Sequence, residues 1–265
     1  PPLPSLRPAA PGLLPVSAAR GVYVHWPWCA RICPYCDFNV YRARGDDGAA
    51  ITSAIIADLQ GHAARIDPGP PLASIFLGGG TPSLMTPRQV ADVIAACDRL
   101  FGLAADCEIS LEANPTDAEA AGFSGLRTAG VNRLSLGVQA LDDAALAFLG
   151  RNHDADEARR AVDTSLACGF RTSLDLIYAR PGQTVAAWTG ELASAVAHGP
   201  DHVSPYQLTI ETGTAFDRAV RRGVWTPASD GLAADLYVAT QDLLQGAGLD
   251  AYEISNHARG PAARS

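Results

Sequence analysis

The chain has 265 residues, 48% of them hydrophobic, which is enough apolar content for the core of one large α/β domain. Its formal net charge of −8 argues against a nucleic-acid partner, and no apolar run approaches the roughly 20 residues of a membrane-spanning helix. The six cysteines do not form a dense disulfide framework, which predicts a reducing compartment, the cytoplasm.

The chain divides into three predicted parts. Residues 1–20 are rich in proline and alanine and are predicted to form a flexible tail rather than a signal peptide, because the prolines interrupt any apolar core. Residues 21–210 are predicted to form a β/α barrel that carries a loop with three closely spaced cysteines. Residues 211–265 are predicted to extend this barrel at its C-terminal end.

Apolar strands alternate with amphipathic helices along most of the chain. The predicted strands are 21–26, 73–77, 107–112, 132–138, 172–177 and 203–209. The predicted helices are 47–65, 86–101, 116–129, 154–168, 184–198 and 229–246. Six strands, each followed by a helix, predict an α/β fold with a parallel sheet. Functional residues of such barrels lie at the C-terminal ends of the strands.

Three cysteines follow the first predicted strand at spacings that favour an iron–sulfur site. Cys29, Cys33 and Cys36 can ligate three irons of a [4Fe–4S] cube, whereas the usual protein-bound cube has four cysteine ligands. The fourth iron would then be open to a substrate or cofactor. The spacing leaves two alternatives: a structural zinc site with His25 as the fourth ligand, and a disulfide, which is poor because the other cysteines lie far along the chain.

Residues suited to ligand binding stand where other predicted strands end. The run 78–80 is Gly-Gly-Gly, which allows a ligand close to the backbone but also suits a tight turn. Glu112 shares one face of its strand with Glu108 and Ser110, and Asp175 is a carboxylate in an otherwise apolar strand. Ligand hydroxyls, a charged or polar group of the protein or, for Glu112, solvent would satisfy them. Gln139 offers a donor and an acceptor. Arg151 suits a carboxylate, although a lone arginine is more often a surface cation.

Together these motifs resemble one branch of the radical S-adenosylmethionine (SAM) superfamily, which contains oxygen-independent coproporphyrinogen III oxidase and the haem chaperone HemW. The resemblance covers residues 21–258. The motifs that carry it are Tyr23-Val24-His25-Trp26-Pro27-Trp28-Cys29, Cys33-Pro34-Tyr35-Cys36-Asp37-Phe38, Gly78-Gly79-Gly80-Thr81-Pro82-Ser83, Glu112-Ala113-Asn114-Pro115, Arg133 to Gln139, Asp175-Leu176-Ile177-Tyr178 and Tyr252-Glu253-Ile254-Ser255-Asn256.

The resemblance implies a partial (β/α)6 barrel with parallel strands and two cofactors. Cys29, Cys33 and Cys36 would ligate the [4Fe–4S] cluster, whose open iron would chelate the amino and carboxylate groups of SAM. The positions that match SAM contacts in the family are Tyr23, Gly79, Gly80, Thr81, Glu112, Gln139, Arg151 and Asp175, with Tyr35 near the adenine. The implied partners are haem or a porphyrin, an electron donor such as flavodoxin or ferredoxin, and a haem-accepting protein.

Within that branch, the residues favour the haem chaperone, and thus haem trafficking, over the oxidase. Oxidases usually have another cysteine where Phe38 stands, and the run Tyr252 to Asn256 is more similar to the chaperone. The chain departs from the family at Ala179-Arg180, where Gly-Leu is usual, and at His257, where Phe is common. It ends at Ser265, before the family's C-terminal domain, so we expect a fragment or a minimal relative, without oxidase activity and with weak haem binding.

Overall fold

A computed structural model describes residues 19–43, 48–66 and 69–264, so the predicted tail lies almost entirely outside the described residues. The strands are β1 (Arg20–Trp26), β2 (Trp28–Cys29), β3 (Tyr41–Arg42), β4 (Leu72–Gly79), β5 (Leu103–Ala113), β6 (Arg133–Gln139), β7 (Arg171–Tyr178), β8 (His202–Gln207), β9 (Asp250–Glu253) and β10 (Asn256–Ala258). The helices are α1 (Gly48–Ala63), α2 (Pro87–Phe101), α3 (Asp117–Ala120), α4 (Phe123–Thr128), α5 (Asp143–Phe148), α6 (Ala155–Ala167), α7 (Val185–Ala197), α8 (Ala215–Arg221) and α9 (Asp230–Gly246).

Eight of the strands form one sheet in the order β1-β4-β5-β6-β7-β8-β10-β9. The six strands from β1 to β8 in this order are parallel, which confirms the predicted α/β fold. β10 and β9 extend the sheet beyond β8 in antiparallel pairing, so the sheet gains two strands from the segment after residue 211. The order is linear and ends at β1 and β9, as in a partial barrel. β2 and β3 form a separate parallel pair.

The two faces of the central strands have different chemistry. Leu77, Leu111, Leu134 and Leu174 are fully buried on the face that packs against the helices. Because side chains alternate along a strand, the intervening residues face the interior of the barrel, and many of these are polar. Asp175, for example, accepts hydrogen bonds there from a serine of β6. The polar interior leads to the C-terminal ends of the strands.

Helix α2 begins as its sequence predicts. The side chain of Thr86 accepts a hydrogen bond from the backbone N–H of Gln89, and the Gln89 side chain accepts one from the backbone N–H of Thr86. This reciprocal pair is a capping box, and Pro87 occupies the first helical turn. The helix therefore starts at Pro87, seven residues after Gly80.

Several predicted boundaries differ from the structure: β5 begins at Leu103 rather than at residue 107, and β8 ends at Gln207 rather than at residue 209. The single helix predicted over 116–129 is two short helices, α3 and α4, which are separated at Ala121 and Gly122. Glycine has low helix propensity, and here it stands at the N-cap of α4. The strand predicted to end at residue 77 continues through Gly79, because Gly78 and Gly79 pair with β1. In the described part of the chain, no helix is long and apolar enough to cross a membrane.

Several elements were not predicted at all. α5 and α8 have six and seven residues, too few to show a clear helical period. β9 and β10 have four and three residues. The proposed division of the chain at residues 20 and 210 stays a prediction.

Candidate functional site

A cleft opens at the C-terminal ends of the parallel strands, where the cysteine loop (residues 27–43) faces β5 to β8. Its lining includes most of the residues predicted for a site: Cys29, Cys33, Cys36, Tyr35, Gly80, Thr81, Glu112, Gln139, Arg151 and Asp175. Two predicted residues, Tyr23 and Gly79, do not line it. The fold thus brings residues from distant parts of the sequence into one concave surface.

The cysteine loop is closed at its base by backbone pairing. Tyr41 donates its N–H to the carbonyl of Pro27 at 2.7 Å, and Ala43 donates to the carbonyl of Cys29 at 2.9 Å. Cys29 is buried, whereas Cys33 and Cys36 are half-buried in the turn that follows. All six cysteines of the chain are free thiols, which disfavours the disulfide alternative.

Burial shifts the pKa of two of these thiols toward the protonated form. Burial raises the pKa of Cys29, and a hydrogen bond from Thr81, which lowers the pKa, offsets only part of this rise. Burial also raises the pKa of Cys36, and a hydrogen bond from the backbone N–H of Phe38 partly offsets this rise. Thiolates, not thiols, are the ligands of iron. Binding a metal here must therefore release protons.

Arg151 is a central cation of the cleft, not a surface residue. Its Nη1 donates to Cys33 Sγ at 3.1 Å, and its Nη2 donates to the carbonyl of Gly137 at 3.0 Å and to the Asn114 side chain. The Tyr35 hydroxyl lies next to the same guanidinium. Burial raises the pKa of the Tyr35 hydroxyl. Arg151 thereby joins the cysteine loop to β5 and β6.

The glycine-rich segment is bound to the cysteine loop through its backbone. Gly80 donates its N–H to the carbonyl of Trp26 at 2.7 Å, and Thr81 donates to the carbonyl of Trp28 at 2.8 Å. A Cβ on Gly80 would lie 2.6 Å from the Trp28 oxygen. The close approach that the glycines permit is therefore to the loop's own backbone, and these two amides are not free for a ligand.

Two half-buried carboxylates face each other across the cleft. Burial, with a smaller contribution from the charge of Asp175, raises the pKa of Glu112 to about 7, although Glu112 accepts a hydrogen bond from the Gly79 N–H at 3.0 Å. Burial raises the pKa of Asp175 to about 6, although hydrogen bonds from Ser204 and Ser135 lower it. Two like charges this close disfavour each other's ionisation.

Gln139 and Tyr23 occupy distinct positions. Gln139 adopts a φ of 65°, a left-handed conformation that is uncommon outside glycine, and its side chain reaches the cleft as β6 ends. Tyr23 is 59% exposed, stacks on Phe76 and hydrogen-bonds with Nδ1 of His25 at 3.0 Å. The charge of Glu112 contributes to a raised pKa of Tyr23, so the two side chains are near each other.

The zinc alternative requires four side chains that converge on one ion. His25, its suggested fourth ligand, uses both ring nitrogens elsewhere: Nδ1 with Tyr23 and Nε2 with the carbonyl of Asn39 at 2.9 Å. Among residues 19–43, 48–66 and 69–264, no group of three or more His, Cys, Asp or Glu side chains is arranged around a single metal ion. The three thiols of the loop lack the histidine that a zinc site would need.

Sequence reasoning missed the residue that connects these groups. Asn114 donates from Nδ2 to Thr81 Oγ1 at 3.2 Å and accepts from Arg151. Its backbone N–H donates at 3.0 Å to Glu119, which also accepts from Ser83. The available signal was its position two residues after Glu112, because alternate residues of a strand face the same side.

Comparisons with known proteins match the chain to one family. Residues 23–189 match the family model of the radical SAM superfamily. The chain is 40% identical over 247 residues to the mitochondrial radical S-adenosyl methionine domain-containing protein 1 of Mus musculus, covering 93% of this chain and 56% of that protein. It is 39% identical over 254 residues to the heme chaperone HemW of Mycobacterium tuberculosis, covering 94% and 65%. The chain thus spans less than two thirds of these relatives.

A solved structure has the same fold over most of the chain. Coproporphyrinogen III oxidase (HemN) from Escherichia coli, described as a radical SAM enzyme, superimposes with a TM-score of 0.79 at 26% identity, covering 92% of this chain and 56% of that one. The family match covers more than half of the chain and includes the cysteine loop and the ends of β4 to β7. The chain belongs to the radical SAM superfamily.

Proposed function

We propose that this chain binds a [4Fe–4S] cluster through Cys29, Cys33 and Cys36, binds SAM in the adjoining cleft, and acts in haem trafficking. The observation that carries the cluster assignment is that three thiols line one cleft together with ionisable side chains of β5 and β7. Among the described residues that line this cleft there is no fourth cysteine and no histidine. A three-thiol site leaves one iron of a cube without a protein ligand.

The residues around the thiols fit a bound cluster. Arg151 and Thr81 each direct a donor toward a cysteine sulfur, which would stabilise the negative charge of thiolate ligands. The Nε of Arg151 is buried and has no hydrogen-bond partner in the described residues. A carboxylate of a bound ligand would satisfy it, since guanidinium groups suit carboxylates.

The two carboxylates suit the hydroxyl groups of SAM. Glu112 and Asp175 offer acceptor oxygens inside the cleft, and their raised pKa values allow either to donate as well when protonated. The N–H groups of Gly79, Gly80 and Thr81 already bond to the protein, so this segment offers no free backbone donor to a ligand. When bound, the cluster supplies the electron that reductively cleaves SAM, while the protein positions the ligand and limits access of water.

The haem assignment rests on the relatives. The Mycobacterium tuberculosis and Escherichia coli relatives are both named heme chaperone HemW, at 39% and 38% identity. Phe38, where the oxidases usually have cysteine, is 63% exposed and lines the cleft. An exposed aromatic ring at this position offers stacking surface to a flat macrocycle. A haem chaperone delivers haem to another protein, so the proposal includes a haem-accepting protein as a partner.

The alternative function is oxidative decarboxylation of coproporphyrinogen. The superposition on the Escherichia coli oxidase favours it, because the likeness covers 92% of this chain. Phe38 argues against it. We also propose that the protein acts in the cytoplasm, although the Mus musculus relative is named as mitochondrial.

The test is anaerobic reconstitution with iron and sulfide, beside matched cysteine variants. We expect about four irons per chain, a broad visible absorption band, and loss of the cube in Cys33→Ala. Cys168→Ala is the control, since Cys168 is also partly exposed but lies at the C-terminal end of α6. Retention of four irons in Cys33→Ala would refute the ligand assignment.

A second measurement separates the two functions. The reconstituted chain is incubated with SAM, reductant and either coproporphyrinogen or haem. Haem binding without conversion of coproporphyrinogen supports the chaperone, and conversion to protoporphyrinogen supports the oxidase. SAM binding is followed separately, through its effect on the electron paramagnetic resonance spectrum of the reduced cluster.

A further inference from the structure

A second pocket lies between α5, α7 and the turn that follows β7. Its volume is about 520 Å3. Small-molecule sites in proteins commonly have volumes of roughly 300–1,000 Å3, so the space is large enough for a small organic ligand. None of the residues that line this pocket lines the cleft. The pocket is therefore separate from the site described above, and we call it the α5–α7 pocket.

Arg180 lines the α5–α7 pocket and is only partly paired. Its side chain is 8% exposed, and its Nη2 forms an ion pair with Glu191. Its Nη1 is buried and has no hydrogen-bond partner among the described residues. Buried N–H groups nearly always have an acceptor, and leaving one without an acceptor costs free energy. Arg180 therefore has a donor left for a ligand oxygen.

The acidic side chains of the pocket already accept hydrogen bonds from the protein. Glu191 accepts from the N–H of Leu141 at 2.7 Å and from Arg180. Asp142 caps α5 by accepting from the N–H of Ala145 at 2.8 Å. The unmatched polar atom of the pocket is thus a donor on a guanidinium, and the ligand group that it selects is an acceptor, best an anionic one.

The remaining wall combines a second cation with apolar side chains. Arg159 donates from Nη2 to the carbonyl of Leu141 at 3.2 Å, and its Nη1 pairs with the exposed Asp156 at 2.8 Å. The apolar part of the lining is Leu141, Ala144, Ala145, Phe148, Pro181 and Ala187. A ligand with one carboxylate and a small apolar body matches this combination, because guanidinium groups suit carboxylates and the apolar body is removed from water.

The arginine of this pocket distinguishes the chain from its family, in which Gly-Leu is usual where Ala179-Arg180 stands here. The turn that carries it is closed by Gln183, which donates its N–H to the Arg180 carbonyl at 3.0 Å. The Gln183 side chain also accepts from the Arg180 N–H at 3.3 Å. The backbone of Arg180 is thus held on both sides. A leucine at this position would offer no donor, so the site is expected only where arginine is present.

We propose that the α5–α7 pocket binds a small organic carboxylate, with one carboxylate oxygen accepting a hydrogen bond from Nη1 of Arg180. The apolar body of the ligand lies against Leu141 and Phe148. The proposal goes beyond the proposed function and requires neither the cluster nor SAM. A ligand here would contact the segments that directly follow β6 and β7, the strands from which Gln139 and Ile177 reach the cleft.

The test uses benzoate as the probe and benzamide as its uncharged counterpart of the same shape. Binding of each to the full chain is measured by calorimetry, and the place of binding by nuclear magnetic resonance of the backbone amides. The variant Arg180→Leu/Glu191→Gln removes the guanidinium without leaving Glu191 as an unpaired charge. The control is Arg160→Leu, which removes an arginine of α6 that does not line the pocket.

We expect the wild type to bind benzoate about tenfold or more tightly than benzamide, as a charge-assisted hydrogen bond requires. The double variant should lose this preference, and Arg160→Leu should keep it. Benzoate should shift the amides of residues 141–148 and 182–187 rather than those of the cysteine loop. The proposal is wrong if the wild type binds no benzoate, binds both probes equally, or keeps its preference in the double variant.

Two further results make the test decisive. If Arg180→Leu/Glu191→Gln does not fold, Arg180→Lys carries the same comparison, because an ammonium group keeps the charge but lacks the second arm of the guanidinium. Its preference for benzoate should be weaker than that of the wild type. Amide shifts confined to the cysteine loop would place the anion at Arg151 in the cleft and would overturn the assignment to the α5–α7 pocket.

Discussion

Arg151 donates a hydrogen bond from Nη1 to the sulfur of Cys33 at 3.1 Å, across 118 positions of sequence. The same guanidinium is held by the Gly137 carbonyl and the Asn114 side chain, so its position is fixed by β5 and β6. The permanent positive charge of Arg151 is therefore held next to the sulfur of Cys33, one of the proposed cluster ligands. Hydrogen bonds and charges at cluster sulfurs are among the factors that set reduction potential.

We expect Arg151→Met to lower the reduction potential of the reconstituted cluster. Reduction adds negative charge, and the guanidinium stabilises the reduced form more than the oxidised form. Arg151→Lys, which keeps the charge but loses the planar pair of donors, should fall between wild type and Arg151→Met. The measurement is a redox titration monitored by electron paramagnetic resonance. Arg160→Met, a change at an exposed arginine, is the control, and an unchanged potential in Arg151→Met would contradict the prediction.

The carboxyl pair predicts a pH-dependent stability of the cluster-free chain. The ordinary pKa values are 4.5 for Glu112 and 3.8 for Asp175, and the folded values are about 7 and about 6. The folded chain therefore binds more protons than the unfolded chain between these limits. This contribution to stability is fully present below the ordinary values and is lost as the pH rises through the folded values.

Glu112→Gln should remove much of that loss. It keeps an acceptor for the Gly79 N–H, but its side chain cannot ionise. At pH 8 the variant should gain roughly 1–3 kcal/mol in free energy of unfolding relative to wild type, and at pH 4 the difference should be much smaller. Urea denaturation across this range measures it. Asp58→Asn, at a carboxylate whose side chain is 75% exposed, should show no such trend. Parallel stability curves for wild type and Glu112→Gln would refute the prediction.

The local parts of the site could be predicted from the sequence. Cys29, Cys33 and Cys36 are within eight positions of each other, so their spacing alone predicts a shared metal site. The period-2 alternation around Glu112 predicts that it shares one face of its strand with Glu108 and Ser110, and Asp175 is conspicuous as a carboxylate in an apolar strand. The parallel topology places the C-terminal strand ends at one edge, which brings these carboxylates to the same cleft as the cysteines.

The contacts between these parts could not be predicted. Arg151 follows a six-residue helix and resembles a surface cation in sequence, and only the packed structure places it on Cys33. The position of Asn114 two residues after Glu112 indicates which side it faces, but not that it joins Thr81 to Arg151. Such contacts depend on the register and packing of distant elements, which residue spacing does not encode. The break between α3 and α4 was missed because a single glycine lowers helix propensity without excluding a helix.

Gly80 is expected to tolerate no side chain. In Gly80→Ala, the new Cβ would meet the carbonyl oxygens of Trp28 at 2.6 Å and Trp26 at 2.8 Å, and neither backbone atom can move without shifting the cysteine loop. We expect a loss of about 1–3 kcal/mol in free energy of unfolding, together with poorer cluster assembly. Thermal denaturation and iron content measure these effects.

Gly190→Ala is the matched control for that substitution. Gly190 lies within α7, and a Cβ there would meet nothing within 4 Å. Alanine in a helix interior is favoured over glycine, so Gly190→Ala should stabilise the chain by about 0.5–1 kcal/mol. Equal melting temperatures for the two variants would show that the contact between Gly80 and the loop is not required.

The departure at Ala179-Arg180 creates a buried ion pair. Ala179 adopts a φ of 59°, which explains why glycine suits this position in the family. Arg180 ion-pairs with Glu191, and both side chains are more than nine-tenths buried. Glu191 also accepts a hydrogen bond from the Leu141 N–H at 2.7 Å. The pair thus connects the end of β7 to α7 and to the segment after β6.

We expect Arg180→Leu to lower the free energy of unfolding by about 3–5 kcal/mol, because it leaves the carboxylate of Glu191 buried without its cation. Arg160→Leu breaks the ion pair with Asp117, in which both side chains are more than half exposed, and should change stability little because water replaces the partner. The double variant Arg180→Leu/Glu191→Gln should recover part of the loss, since the amide is neutral and its oxygen still accepts from Leu141. Urea denaturation of the four proteins provides the comparison. A double variant no more stable than Arg180→Leu would show that the cost comes from lost packing around Arg180 rather than from an unpaired charge.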